Sequence, residues 1–210
     1  ESLLFTMMDS FNKFSLTTIS REDLQNSINY IYSAHQVEQR SEPWYEDMKH
    51  MLTASEFSSL FEGERAYDNL IQSKIAPEKR STVKAVPTCN IIATQWGIRF
   101  EPVIRNYLEQ SWNCKIYESG RLKHQTNTHL GASPDGIIVK SDSRFGRLVE
   151  IKCPYSRKIG QGVPYKYWVQ MQIQMETCNL DEGDFIESRF KEYENERDFY
   201  EDKTDRKSVV

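Results

Sequence analysis

The stretch "GASPDGIIVKSDSRFGRLVEIKCPYS", residues 131–156, decides how the rest of the chain is read. Two apolar, β-forming runs, "GIIVK" and "RLVEIKC", flank the polar loop "SDSRFG", the pattern of a β-hairpin. Three charged residues interrupt it: Asp135 between Pro134 and Gly136, Glu150 inside the second run, and Lys152 two places later. Side chains alternate along a strand, so Leu148, Glu150 and Lys152 share one face and Val149, Ile151 and Cys153 the other. The second face is apolar and suits a core. The first sets an acid beside a base.

If the two runs pair, Asp135 and Glu150 converge. Converging carboxylates raise each other's pKa unless a cation lies between them. A divalent ion with oxygen ligands resolves the conflict, and Mg²⁺ typically takes one or two protein carboxylates and keeps waters for the rest. A lysine beside such an ion would orient or activate a water, which is the chemistry of metal-assisted phosphodiester hydrolysis. The alternative is a surface hairpin in which Glu150 and Lys152 are mere neighbours. An E-x-K triplet alone is common, but S-P-D-G, a 14-residue gap and E-x-K within an apolar run is a narrow pattern.

Outward from this stretch, helical spacing predicts a helix over about 20–34, with Ser20 as its cap and Leu24, Ile28 and Ile31 on one face. Thr53 or Ser55 would cap a short helix stopped near Gly63. Residues 64–90 read as a loop-rich connection with a short helix over "AYDNLIQSK". "TQWGIRFEPVIRNYLEQ" sets Trp96, Phe100, Val103, Ile104, Tyr107 and Leu108 on one helical face, with Pro102 in or near the first turn. "WNCKIYES" and "DFIESRFKEY" read as strands and "YKYWVQMQIQMETC" as a helix. Mixed helices and short strands predict an α/β or α+β fold in one domain. The tryptophans and tyrosines Trp44, Trp96, Trp168, Tyr155, Tyr165 and Tyr167 read as core, although Tyr155 or Tyr165 beside the acids would also suit stacking on a frayed base.

Bulk composition narrows the function classes. At 38% hydrophobic and 28% charged, no run approaches the roughly 20 apolar residues of a membrane span, so no membrane partner is expected. The first residues lack the basic and apolar regions of a signal peptide. The four cysteines form no CxxC pair, which argues against zinc and disulfides and for reduced thiols in an intracellular, reducing compartment. Net charge is −4, yet Lys115–Lys166 holds ten Lys/Arg against four Asp/Glu. A locally basic segment around two acids suits a phosphate polymer held without sequence readout. From Glu176 onward twelve Asp/Glu face six Lys/Arg, and the expectation there is a solvated or partly disordered end.

"SPDG", "EIKCPYS" and "YWVQMQIQM", with "PWYEDMKHMLTASEF" and "WGIRFEP", resemble the lambda-exonuclease (YqaJ-like) branch of the PD-(D/E)xK nucleases over roughly residues 43–193. The resemblance implies a PD-(D/E)xK core, a central mixed β-sheet flanked by helices, in a single nuclease domain. Its parts would be an N-terminal helical region 1–42, a catalytic core 43–193 and a charged tail 194–210. Asp135, Glu150 and the Ile151 backbone carbonyl would hold Mg²⁺, with Mn²⁺ as a substitute. Glu101 would join directly or through a water, and Lys152 would act on the attacking water. Gln170 matches a glutamine behind the sheet, with Gln172 the weaker choice. Ser55 and Ser133 match hydroxyls that hold a 5′-terminal phosphate, with Arg157 and Lys49 as basic partners. Met48 stands where relatives carry an arginine, and "HQTNTHL" lacks the upstream aspartate of some members, so one- and two-metal schemes both stay open.

The activity implied is 5′→3′ exonuclease action on double-stranded DNA ends in viral recombination, repair or replication, in host cytoplasm or nucleus. The rivals are an endonuclease of the same fold and a non-catalytic DNA-binding module. A homo-oligomeric ring and a single-strand annealing protein are further partners that the resemblance suggests. Read alone, Glu101 and Arg105 are a helix-surface pair four residues apart, the glutamines are edge residues of a packed helix, and His124 is a loop residue.

Overall fold

The computed structural model describes residues 19–76 and 88–202, without the side chains of 88–92. Expectations for residues 1–18, Cys89, the patch around Pro77 and the last eight residues fall outside the described part.

The hairpin forms the middle of a four-stranded sheet ordered β2 (Lys115–Tyr117), β5 (Gly136–Lys140), β6 (Leu148–Lys152), β7 (Gly183–Glu187). β5 is antiparallel to β2 and to β6, and β7 runs parallel to β6. A parallel neighbour needs a crossover, and α6 (Tyr165–Cys178) supplies it. Asn179 ends α6 in the left-handed conformation and donates from its amide to the Ser27 hydroxyl, 2.8 Å.

Both faces of the sheet are covered. On one, Val149, Ile151, Cys153, Ile116, Ile138 and Ile186 pack against Trp96, Ile104 and Leu108 of α5 (Thr88–Ser111). On the other, Ile137 and Leu148 meet Met171 and Cys178 of α6, and Ile28 and Ile31 of α1 (Arg21–Ser33). The Ser20 hydroxyl caps α1 by accepting from the Asp23 N–H, 3.1 Å. Among the described residues no helix is long and apolar enough to cross a membrane.

A second, three-stranded sheet is ordered β1 (Leu52–Thr53), β4 (Leu130–Ala132), β3 (Leu122–Lys123). Strands this short leave no readable alternation in the sequence. With α3 (Ala54–Phe57) this sheet packs on the flank of α6, joining Ala54, Phe57, Leu130 and Ala132 to Val169 and Ile173. Thr53 is the residue before α3, and Glu56 accepts from both its N–H and its hydroxyl. Ser55 is therefore inside the helix and not its cap. Two further helices, α2 (Glu42–His50) and α4 (Glu64–Ile75), complete this side, and α7 (Glu196–Glu201) lies in the C-terminal stretch.

Several boundaries differ from expectation. α5 begins at Thr88, so Pro102 lies inside it, where the ring removes an N–H that would bond to Ile98. Apolar spacing marks where a helix is buried, not where it starts. Its buried stripe is also narrower: Val103 and Tyr107 are 51% and 43% exposed. α4 takes up residues 64–75 of what reads as a loop-rich connection, a longer helix than expected, with only Leu70 buried to betray it. The first part of the acidic stretch after Glu176 is built into the fold, since Asp184 accepts from Arg144 and Arg147, each at 2.9 Å, and β7 completes the sheet, while residues 194–201 are exposed as expected.

Gly136 explains the D-G of the motif. A Cβ there would lie 2.3 Å from Ile116 Cγ2 in the core, so only hydrogen fits where β5 passes β2. Gly136→Ala is expected to destabilise by about 1–3 kcal/mol in urea denaturation, as overpacking does. Gly97→Ala, on a helix with open space around the missing Cβ, is expected to stabilise by about 0.5–1 kcal/mol in the same assay.

Candidate active site

Asp135 stands one step before β5, and Gly136 pairs with Val149, so Asp135 comes opposite Glu150. Its carboxylate accepts from the Ile151 N–H at 2.7 Å. Glu150 is 0% exposed, which excludes the surface-hairpin reading. A buried carboxylate needs its oxygens bonded. Gln170 donates to one at 2.7 Å and Gln174 to the other at 2.8 Å, both from successive turns of α6. Lys152 donates to Glu150 as well, and its Nζ lies 3.8 Å from Asp135.

The electrostatics follow. Burial, then the charge of Asp135, pushes the Glu150 carboxyl up to about 7. Burial works against the Lys152 ammonium, but Glu150 and Asp135 outweigh it and hold its pKa above the ordinary lysine value. Glu101, from α5, is raised first by burial and then by Asp135. It accepts from Arg105 at 2.9 Å and from Arg40 at 3.4 Å, so the helix-surface pair exists and sits at the site as well. Cys153 is pushed up to about 11 by burial and the neighbouring acids, so its thiol stays protonated near neutral pH and is no nucleophile.

A cavity of about 580 Å³ lies beside Glu150, which is wholly buried and does not line it. Glu101, Asp135, Ile151, Lys152 and Arg157 line it together with Arg40, Tyr155 and Tyr167. Arg157 is paired with Glu187. Ser55, Ser133 and Lys49 do not line it. Ser55 is exposed beside Thr53, Ser133 accepts from Trp44 Nε1 at 3.3 Å, and Lys49 pairs with Glu46. The Met48 carbonyl accepts from Lys74 at 2.6 Å. The donors to Glu150 are Gln170, Gln174 and Lys152, and Gln172 is not among them. His124 accepts from the N–H groups of Thr126 and Asn127, as a loop residue does.

Two residues escape the sequence reading. Gln174 lies four after Gln170 on the same helical face, a spacing that could have found it. Arg40 reaches the cavity from the loop between α1 and α2 with a φ of 65°, and no pattern announces it. The aromatic residues divide: Trp96 is buried, whereas Tyr155, Tyr165 and Trp168 are exposed and not core.

The donors suit a hard divalent cation. Two carboxylates converge, one of them wholly buried and balanced by a lysine, in the oxygen-rich setting that Mg²⁺ or Mn²⁺ takes. Among the described residues no three His, Cys, Asp or Glu side chains gather closely enough to hold an ion by themselves.

The family model of the YqaJ-like viral recombinase domain matches residues 43–181. The chain belongs to this family. Relatives of this YqaJ-like domain occur in large DNA viruses. An uncharacterized protein, R354, of Acanthamoeba polyphaga mimivirus is 30% identical over 188 residues, covering 83% of this chain and 33% of that protein. Protein D345L of African swine fever virus is 27% identical over 181 residues, 73% of this chain and 50% of that protein. The chain thus spans a third to a half of the length of these viral relatives. An alkaline exonuclease from Laribacter hongkongensis has the same fold, with a TM-score of 0.58 and 27% identity over 71% of this chain and 74% of that one. The same enzyme in complex with dAMP aligns with a TM-score of 0.58 and 28% identity, covering 70% of this chain and 73% of that one. The PD-(D/E)xK fold expected for a YqaJ-like domain, a mixed sheet flanked by helices, is the fold of this molecule.

Removing one donor from Glu150 tests the buried network. Gln174→Leu is expected to cost about 1.5–3 kcal/mol in chemical denaturation, the loss of a hydrogen bond to a buried charge. Gln170→Leu is expected to cost less, because Gln170 is only half-buried and water can take its place.

Proposed function

We propose that this chain is a divalent-cation-dependent deoxyribonuclease, a 5′→3′ exonuclease on double-stranded DNA ends that serves viral DNA recombination, repair or replication. The observation that carries the reading is the buried Glu150 carboxylate, paired with Lys152, which lines an open cavity together with Asp135. Membership of the YqaJ-like family and the likeness to an alkaline exonuclease support it.

In this reading Asp135, Glu150 and the Ile151 carbonyl would hold Mg²⁺, with Glu101 joining directly or through a water. When bound, such an ion supplies a Lewis acid that polarises the phosphodiester and lowers the pKa of a water. The chain's own residues do the rest. The Ile151 N–H fixes Asp135, and Gln170 and Gln174 fix Glu150. Lys152, released from Glu150, holds the attacking water in line and balances the charge growing on the phosphate. Arg40 and Arg157 face the cavity and exchange their acid partners for phosphate oxygens.

A second reading, internal cleavage, is favoured by one observation: Met48 replaces an arginine, and Ser55 and Ser133 stand outside the cavity. Linear duplex labelled at the 5′ or 3′ end, beside closed circular DNA, separates the two. An exonuclease leaves the circle intact, and progressive loss from the 5′ end gives the polarity. Lys152→Ala is expected to slow cleavage of linear duplex by about 100-fold or more, in the range of a positioned proton-handling group; an unchanged rate rejects the mechanism. Mg²⁺ or Mn²⁺ is expected to raise the melting temperature of the wild type, and Asp135→Asn to abolish that rise. EDTA should stop cleavage.

A further inference from the structure

Gly97 stands well inside α5, which runs from Thr88 to Ser111, so it caps neither end. It is not among the glycines with positive φ, which are Gly63, Gly146, Gly160 and Gly162. The backbone there would accept any ordinary residue. Among the described residues, no atom lies within 4 Å of where its Cβ would stand. Glycine is among the weakest helix formers and alanine the best. Folding therefore has no use for a glycine at this position.

What Gly97 faces is the cavity. Ala93, Gly97 and Glu101, four residues apart, fall on one face of α5, and all three line it. Among the described lining residues Gly97 is the one glycine. The other parts of the lining carry long or ringed side chains, Lys152, Tyr155, Arg157 and Tyr167 among them. On α5 the wall falls back to bare backbone one helical turn before Glu101.

A chain keeps glycine where a ligand must come close to its backbone. We infer that Gly97 determines what the cavity admits: the gap left by its missing side chain is where the sugar–phosphate chain of a bound DNA strand passes against α5. Helix stability is given up here for room. The inference rests on the nuclease reading for the identity of the ligand, and it adds a residue that acts on the substrate through its size alone.

Gly97→Ala and Gly97→Leu test the gap, with Gln95→Leu as a control. Gln95 is exposed on the same helix and does not line the cavity. Alanine and leucine both favour helix. The melting temperature is expected to rise by about 1–4 °C for Gly97→Ala and not to fall for Gly97→Leu. Affinity is read in EDTA with a fluorescent blunt duplex, so that nothing is cut. It is expected to fall about threefold for Gly97→Ala and about tenfold or more for Gly97→Leu, the misfit of an overfilled site. With Mg²⁺ the loss should appear in KM, with kcat changed less. Gln95→Leu should match the wild type in affinity and in cleavage. A Gly97→Leu protein that binds as tightly as the wild type overturns the inference. So does a melting temperature that falls together with affinity, since Gly97 would then serve the packing of the helix. A wild type that binds the duplex and never cuts it would sink the nuclease reading alone, because the affinities of the Gly97 series would still report the gap.

Discussion

A fully buried carboxylate on the central sheet governs this molecule. Removing an ionised carboxyl from water is costly unless every oxygen is bonded and a counter-charge is near. Glu150 meets both conditions, but only because α6 crosses behind β6 with Gln170 and Gln174 one turn apart and Lys152 on the same strand face. The crossover is in turn what lets β7 lie parallel to β6. Any slip of strand or helix by one residue would strand the charge, so the site and the topology enforce each other.

The apolar surroundings work to the same end. Two separate clusters sandwich the sheet, and a third pins the other flank of α6 to the small sheet. α6 thus buries apolar residues on two sides and keeps its glutamine face for Glu150. Removing water around the acids is what raises Glu150 and Glu101, and Lys152 is the counter-charge that the fold supplies to Glu150. Outside this core, Arg144 and Arg147 neutralise Asp184 on β7, so the acids of the C-terminal part support the sheet and do not compete for the cavity.

The described cations at the cavity already hold acids: Arg40 with Glu101, Lys152 with Glu150, Arg157 with Glu187. In the proposed reading a polyanion would therefore enter by exchanging partners and not by meeting bare charge. Such exchange would keep an overall acidic chain folded without a ligand and still let it take phosphates. It also explains why net charge is a poor guide here. The field that a phosphate would meet is local, set by the cations and acids that line the cavity and not by the total of −4.

The hairpin, the two faces of "LVEIKC", helix α1 and the trio Asp135, Glu150 and Lys152 were legible in the sequence, because periodicity and short-range spacing determine which side chains share a face. Gln174 was half legible, one helical turn beyond Gln170. The start of α5, the strands of the small sheet and the arrival of Arg40 were not, since none of them depends on a local pattern. Nor was the exposure of Tyr155, Tyr165 and Trp168: an aromatic residue reads as core until the fold leaves its ring uncovered. The sequence by itself determined the chemistry on offer, two acids and a lysine at β spacing. Only the tertiary structure decided that Glu150 is dry, that Arg40 meets Glu101 and lines the cavity and that Ser55 and Ser133 do not. Burial and distant contact are properties of packing, which no stretch of chain can settle alone.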